Sequence, residues 1–520
     1  MSAPRETELK LDLSVEGLAN LGRNAVFKNV RARPQTKKIV SVYFDTSKFK
    51  LRRSGFTLRV RSENRRRIQT VKQDGERTGL LARNEWEQQI RGALPDLKAA
   101  RETGLKPVLK KKVARGLKPV FETSVRRTTY PLRNGRCEIE LSVDRGTVAA
   151  GAKSSPLCEV ELELKRGTTA DLFNLAHTLA QDLPVQLSVR TKAERGYQLI
   201  EGEERPVKAL PVALAPDFTA QNALQSIARA CLHQIIANRP LIRSGKPDGL
   251  HQMRVAVRRL RAALSLFSPM LVDAQTKTLK AELRWLSGEL GLARELDVFI
   301  GRVVQPVTDD RRDEAGLAVL LEDLSKRRAA AYARVHSTVK SLRFRQLLLD
   351  IAAWIEIGDW TRNGDPLVHA LRQLHIFKVA HQELQRRRKK IVRRGQHLRQ
   401  LSQSRRHKMR IQAKKIRYAS EFFAEAFPGK KPAKRRGDFI AALEKLQDAL
   451  GELNDIAVHE ELSAGLAKEK NGDGSRRKVR VNQAFAAGRL SGREEARMQS
   501  ALLQAERAYR AFARVKPFWC

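Results

Sequence analysis

The chain has 520 residues, of which 42% are hydrophobic, and a formal net charge of +44. That length predicts two or three domains, and that apolar share excludes a wholly disordered chain. So large a positive charge would repel itself without a polyanionic partner; on charge alone, nucleic acid, polyphosphate and an anionic membrane all qualify.

Cys137, Cys158, Cys231 and Cys520 are scattered, with no C-x-x-C pair, which argues against a zinc ribbon and against a disulfide framework. The opening MSAPRETELK carries no apolar signal-peptide core. No run approaches the ~18 uncharged apolar residues of a membrane span. LLLDIAAWIEIGDW is interrupted by Asp350, Glu356 and Asp359. The expectation is a cytoplasmic protein that does not cross a membrane.

Residues 1 to about 200 read as short alternating runs separated by Gly, Asp, Asn or Pro, the pattern of strands. In ETELKLDL, Glu6, Glu8 and Lys10 alternate with Thr7, Leu9 and Leu11, so a strand puts all three charges on one face. VSVYFDT follows, then FTLRVRS with Arg59 and Arg61 in phase, RRIQTVKQDG with Lys72, and RNEWEQQIR with Arg83, Glu85 and Glu87 in phase. RCEIELSVDRG carries Glu138, Glu140 and Asp144 on one face, and CEVELELKRG carries Glu159, Glu161 and Glu163. The proline-punctuated EGEERPVKALPVALAPDF has no period and reads as a linker.

From about residue 217 the period becomes helical, and a repeat appears. HQMRVAVRRLRAALSLF (251–267) aligns without gaps on HKMRIQAKKIRYASEFF (407–423), and LGLARELDV (290–298) corresponds to LGELNDIAV (450–458). Two similar helical subdomains are expected.

A solvated polar face accounts for any single charged strand. Repeated E-x-E and R-x-R across at least five strands fits better if the charged faces converge inside a closed barrel. Crowded carboxylates repel unless a divalent cation holds them, and hard oxygen donors suit Mg²⁺ or Mn²⁺. Facing arginines and lysines would cradle the oxygens of a phosphate chain. The loop cations Arg31, Arg33, Lys37, Lys38 and the 65–67 run read as solvated charge, as does LKKKVARGLK (109–118).

Glu6-x-Glu8-x-Lys10, followed in order by VYFDT, LRVR, TVK, R-x-E-x-E, the acidic strand ending in Asp144, CEVELEL and TKAERGY, resembles the CYTH domains, or triphosphate tunnel metalloenzymes. The resemblance spans residues 4–200 and implies an eight-stranded antiparallel tunnel that hydrolyses a linear triphosphate with metal assistance. By motif position it implies metal ligands at Glu6, Glu8, Asp144, Glu159 and Glu161, and catalytic roles for Glu6, Glu8, Lys10 and Glu85. It implies phosphate contacts at Arg59, Arg61, Lys72, Arg83, Arg127 and Lys192, with Arg126 leaving the register at Arg127 open.

In the first repeat helix, Met253, Val257, Leu260, Leu264 and Phe267 form a core stripe. His251, Arg254, Arg258 and Arg261 form a second stripe about a third of a turn away. The other copy repeats this with His407, Arg410, Lys414 and Arg417 beside Met409, Ala413, Ile416 and Phe423, and Arg259 corresponds to Lys415. From Leu384 to Ser420 there is no Asp or Glu, so the cations of that stretch are without the interleaved carboxylates that ordinarily support lysines and arginines on an exposed helix. An anion supplied from outside is the expected partner.

The paired helices and the stretches after them resemble CHAD domains over residues 217–510. That implies two pseudo-symmetric helical bundles and a basic groove for inorganic polyphosphate, lined by His251, Arg254, Arg258, Arg259, Arg261, His407, Arg410, Lys414, Lys415 and Arg417. The tail after 470 is less typical.

The expectation is therefore a multidomain α+β protein. Residues 1–202 form an antiparallel β tunnel, 203–216 a linker, and 217–510 an all-α domain with repeats at about 217–365 and 366–510. Its expected activity is Mg²⁺- or Mn²⁺-dependent hydrolysis of inorganic triphosphate to pyrophosphate and phosphate, with polyphosphate as the second ligand. A location near polyphosphate granules would follow. The alternatives are thiamine triphosphate or ATP as substrate, the latter for an adenylate cyclase, and a scaffold that binds polyphosphate without catalysis. Nucleic acid is disfavoured because aromatics are only 6% and do not interleave with the basic stripes.

Overall fold

The computed structural model describes residues 5–28, 33–63, 66–73, 82–202, 204–215, 217–305, 315–468 and 497–520. Arg31 and the tail between 470 and 496 lie outside the described residues. The chain divides into two compact units. Met1–Lys208, Arg229–Leu241 and Val339–Thr361 make the first; Ala209–Ala228, Ile242–Thr338 and Arg362–Cys520 make the second.

In the first unit the alternating runs are strands: β1 (Arg5–Asp12), β2 (Gln35–Asp45), β3 (Phe56–Glu63), β4 (Arg66–Gln73) and β5 (Ala82–Ile90). Then come β6 (Lys118–Asn134), β7 (Cys137–Ala150), β8 (Lys153–Arg166) and the two-residue β9 (Gln186–Leu187). The order is β5-β4-β3-β2-β6-β7-β8-β1, and β1 also pairs with β5, so eight antiparallel strands close into a ring. β9 adds to the end of β1 at Leu11 and Asp12. β6 is a strand that alternation did not mark. Adjacent Arg126 and Arg127 and the nearby Pro131 blur its two-residue period, and pairing with β2 and β7 along its length holds it extended.

Closing the ring encloses one face of every strand. The apolar outer face is buried beneath helices and loops: Leu58, Val60 and Val71 pack with Phe44, Leu51, Leu105 and Leu109. The amphipathic helix Thr169–Asp182 starts with a Thr168–Asp171 capping box, packs on β8, and buries Leu172, Phe173, Ala176 and Leu179. The helix Lys192–Glu201 packs instead against β6, β7 and β8, and its Ala193 and Tyr197 join Ile39, Tyr43, Phe121 and Val125.

Gly196 makes that close approach possible. A Cβ there would lie 2.1 Å from Phe121 Cδ2. The Phe121 ring cannot retreat, because it stacks on Tyr43 at 4.5 Å and meets Tyr197 edge-on at 5.0 Å. Gly196→Ala is therefore expected to cost about 1–3 kcal/mol by overpacking, read as a lower midpoint in thermal melting. An unchanged midpoint would mean that the helix docks differently.

The second unit is built from helices. Met253, Val257, Leu260 and Leu264 are buried on the helix Pro247–Leu266, as are Met409, Ala413 and Ile416 on the helix Gln403–Phe422. Phe267 and Phe423, at the two helix ends, meet edge-on at 6.0 Å. No helix among the described residues is long and apolar enough to cross a membrane.

Candidate functional site

Strand alternation turns Glu8, Lys10, Arg59, Arg61, Lys72, Glu85, Arg127, Glu140, Asp144, Glu161 and Glu163 inward, where they line a cavity of about 260 Å³ together with Lys192. Antiparallel register makes this a lattice of opposite charges: Lys10 lies across from Glu161, Lys72 from Glu85, and Arg127 from Asp144.

At the acidic end, Asp144, Glu159 and Glu161 are buried, with oxygens mutually within 4.8 Å. Arg127 grips Asp144 with two hydrogen bonds of 2.7 Å, donated by Nε and Nη2, and also contacts Glu161. Lys10 Nζ donates to Glu161 at 2.9 Å and lies 3.3 Å from Glu8. Burial pushes the Glu161 carboxyl up, but Lys10, Lys192 and Arg127 overcome it and hold the group well below the usual carboxylate range. Asp144 is also lowered, with burial opposing and Lys192 and Arg127 prevailing. Burial pushes Lys192 down, but Asp144, Glu159 and Glu161 raise it well above an ordinary lysine.

On the other wall, Lys72 Nζ donates to Glu85 at 2.5 Å, Arg59 reaches the same carboxylate at 3.5 Å, and Arg61 lies 3.2 Å from Glu87. Lys72 is lowered by burial first and by Arg59 second. This wall offers cations held by a minority of carboxylates, which suits phosphoryl oxygens.

Of the residues expected to bind metal, Asp144, Glu159 and Glu161 converge, and their hard oxygens fit Mg²⁺ or Mn²⁺. Glu8 stands beyond Lys10 rather than within that trio. The side chains of Glu6 and Arg83 lie outside the described residues; their backbones pair with each other. The doubtful register at Arg127 resolves: Arg127 enters the cavity, while Arg126 is exposed. Glu163 reaches the cavity and pairs with Lys165. Sequence reasoning missed Tyr43, Ser41, Thr57, Thr123 and Thr191 among the lining residues. Alternation through Ile39, Ser41 and Tyr43 was the available signal, but uncharged residues carry no mark of facing inward.

In the second unit, Arg258 of the first repeat helix acts on Arg254 and also on Arg410 and Lys414 of the second, so the two cationic stripes converge. Carboxylates are few and set back: Arg254 lies 4.0 Å from Glu295, and Arg410 lies 3.7 Å from Asp455. These two pairs are equivalent in the repeat, as are Gly291 and Gly451, where a Cβ would lie 3.4 Å from Arg254 Nη1 and 3.8 Å from Arg410 Nε. Among the described residues Arg258 makes no ion pair, Lys414 has only the attraction of Asp455 against the cations around it, and the Nε atoms of Arg254, Arg258, Arg410 and Arg417 are buried without a hydrogen-bond partner. Burial and the neighbouring Arg410 and Arg258 pull the Lys414 ammonium down to about 7.

Other members of the expected set are placed differently. Arg259 is 4% exposed, paired with Glu421 and stacked on Phe422 at 4.7 Å, so it is held within the packing of the unit. Lys415 donates to Ser265 Oγ at 3.2 Å and faces Arg387 and Lys390. Arg261 is exposed and donates to Ser287 Oγ at 3.1 Å. Arg417 lies 3.6 Å from Glu421. His407 Nδ1 lies 2.6 Å from Asn454 Oδ1, whereas His251 is lowered by burial and then by Arg294 and Arg258. Arg294 is a cation that the stripe pattern missed, because it sits on a different helix, Gly291–Phe299.

Residues 4–197 match the CYTH domain family and residues 226–464 the CHAD domain family. The CHAD domain from the plant Ricinus communis is similar at 26% identity, covering 59% of this chain and 98% of its own, with a TM-score of 0.49. PptA from Streptomyces chartreusis is similar at 17% identity over 56% of this chain and 99% of its own, with a TM-score of 0.43. A Hippeastrum protein named as an adenylyl cyclase, and described with a dominant triphosphatase activity, is 18% identical over 39% of this chain and 98% of its own, with a TM-score of 0.29. The chain thus carries a CYTH domain followed by a CHAD domain.

Proposed function

We propose that the barrel hydrolyses inorganic triphosphate to pyrophosphate and phosphate with a divalent cation, and that the cationic helices of the second unit bind polyphosphate. The observation that carries the first part is a cavity with a wall of lysine and arginine and an acidic end, where Asp144 and Glu161 line the cavity and Glu159 is buried against them. Mg²⁺ or Mn²⁺ held by Asp144, Glu159 and Glu161 would supply Lewis-acid charge neutralisation. Arg59, Arg61, Lys72 and Arg127 bind phosphoryl oxygens and stabilise the charge that shifts toward the leaving pyrophosphate. Glu85 keeps Lys72 and Arg59 aimed inward. Glu8, which lines the cavity beside Lys10 and outside the buried trio, is assigned as the group that accepts a proton from attacking water. Tyr43 is the one aromatic side chain among the described lining residues, which supports the inorganic substrate over adenine or thiazolium.

Phosphate release from tripolyphosphate, ATP and thiamine triphosphate, measured side by side with Mg²⁺ and with Mn²⁺, tests the reading. Tripolyphosphate is expected to turn over fastest, with no release when the metal is chelated. Faster release from either organic triphosphate would replace the substrate; no release from any would leave a binding scaffold. The second part rests on the convergence of Arg254, Arg258, Arg410 and Lys414, which outnumber the set-back carboxylates Glu295 and Asp455.

A further inference from the structure

The three-carboxylate cluster already holds a cation belonging to the chain. Lys192 Nζ lies 2.8 Å from Asp144 Oδ2 and 3.0 Å from Glu161 Oε1, and it also contacts Glu159. Lys192 is the first residue of its helix, fixed there by the capping box of Thr191 and Glu194. The positive end of a helix is a poor place for an ammonium on its own account. The carboxylates hold it there, with its side chain only 10% exposed.

The other cations at the cluster have further commitments or a different geometry. Lys10 is shared with Glu8, and Arg127 is fixed by its two-pronged grip on Asp144. Arg195 reaches Glu159 at 3.8 Å, and among the described residues Lys192 is the one cation within ion-pair distance of all three carboxylates. An ammonium among oxygens that lie within 4.8 Å of one another leaves no room for a second cation at their centre.

We propose that Lys192 is the resident counter-ion of this cluster in the metal-free protein, and that a divalent cation enters by displacing its ammonium into the cavity. This rests on the metal reading above. The exchange requires no backbone movement, because a four-carbon stem can swing from a helix that stays capped. It also couples two events: the ion that takes the carboxylates frees a lysine for the phosphate chain on the same side of the cavity.

The test uses full-length protein at pH 8 and Mn²⁺ alone. Calorimetric titration is expected to show Mn²⁺ binding about tenfold tighter in Lys192→Gln than in the wild type, since no ammonium competes. Binding is expected to be lost in Glu159→Gln, and circular dichroism checks that each variant is folded. A second readout needs no variant: limited acetylation of wild-type amines, followed by mass spectrometry, is expected to modify Lys192 several-fold faster once Mn²⁺ is added, with exposed Lys37 unchanged. Equal or weaker Mn²⁺ binding by folded Lys192→Gln, or Lys192 acetylation indifferent to Mn²⁺ in a protein that binds it, overturns the proposal and leaves the metal reading standing. Absence of Mn²⁺ binding in every protein overturns both.

Discussion

Glu161→Gln is expected to lower tripolyphosphate turnover about 10²–10³-fold. Glu161 lies at the junction of the site: it belongs to the carboxylate trio and accepts from Lys10, Arg127 and Lys192. Glutamine keeps the shape but removes the charge, so three cations lose a common counter-ion while the trio loses a hard donor. Glu163→Gln is the matched comparison, because Glu163 lines the same cavity yet pairs with half-exposed Lys165. Its turnover should change only a few-fold. Phosphate release at saturating Mn²⁺ measures both, and equal losses, or none in Glu161→Gln, would remove the trio from the reaction.

The same network has a pH signature in stability. Asp144 and Glu161 are both held below their ordinary values. Their stabilisation is fully present above the unfolded-state values of about 4 and is lost as pH falls through the lower folded values. The wild type should therefore resist acid unfolding better than Glu161→Gln, as followed by circular dichroism from pH 7 downward.

Replacing Arg254, Arg258, Arg410 and Lys414 together by alanine is expected to weaken polyphosphate binding at least ~100-fold at moderate salt, since four charges facing one polyanion are removed. Tripolyphosphate turnover in the same protein should stay close to wild type. Loss of both with the fold preserved would contradict two separable activities, and unchanged polyphosphate affinity would move the binding surface elsewhere. DNA competing on equal terms with polyphosphate would widen the ligand class to polyanions in general.

Lys414 adds a pH dependence to that binding. Its ammonium is pulled down to about 7 by burial and by Arg410 and Arg258, and the protonated form is the one that attracts an anion. Affinity should therefore fall as pH rises from 6 to 8 through that value. Lys414→Arg keeps its charge across the range and should flatten the dependence; an unflattened curve would assign the titration to another group.

How much was legible beforehand differs between the two units. Every inward charge on β1, β3, β5, β7 and β8 could be named from alternation, because a strand's two-residue period fixes which side chains share a face. The cationic stripes were readable for the same reason at the helical period, and the repeat named their partners. On its own helix Arg259 borders the stripe; only the neighbouring helix shows that it is paired with Glu421 and stacked on Phe422. Arg294 was invisible because a stripe argument cannot cross from one helix to another.

ETELKLDL alone determined that Glu8 and Lys10 point the same way, and the later strands determined that four more faces carry comparable charge. Whether those faces look outward or inward is a property of ring closure, made by β1 pairing with β8 and β5, segments 70 or more residues distant along the chain. The placement of Lys192 among Asp144, Glu159 and Glu161 depends on a helix docking against strands, with Gly196 admitting it. Periodicity is local and survives in the sequence; enclosure and burial arise from contacts between distant segments, and those alone turn an alternating charged strand into one wall of a site.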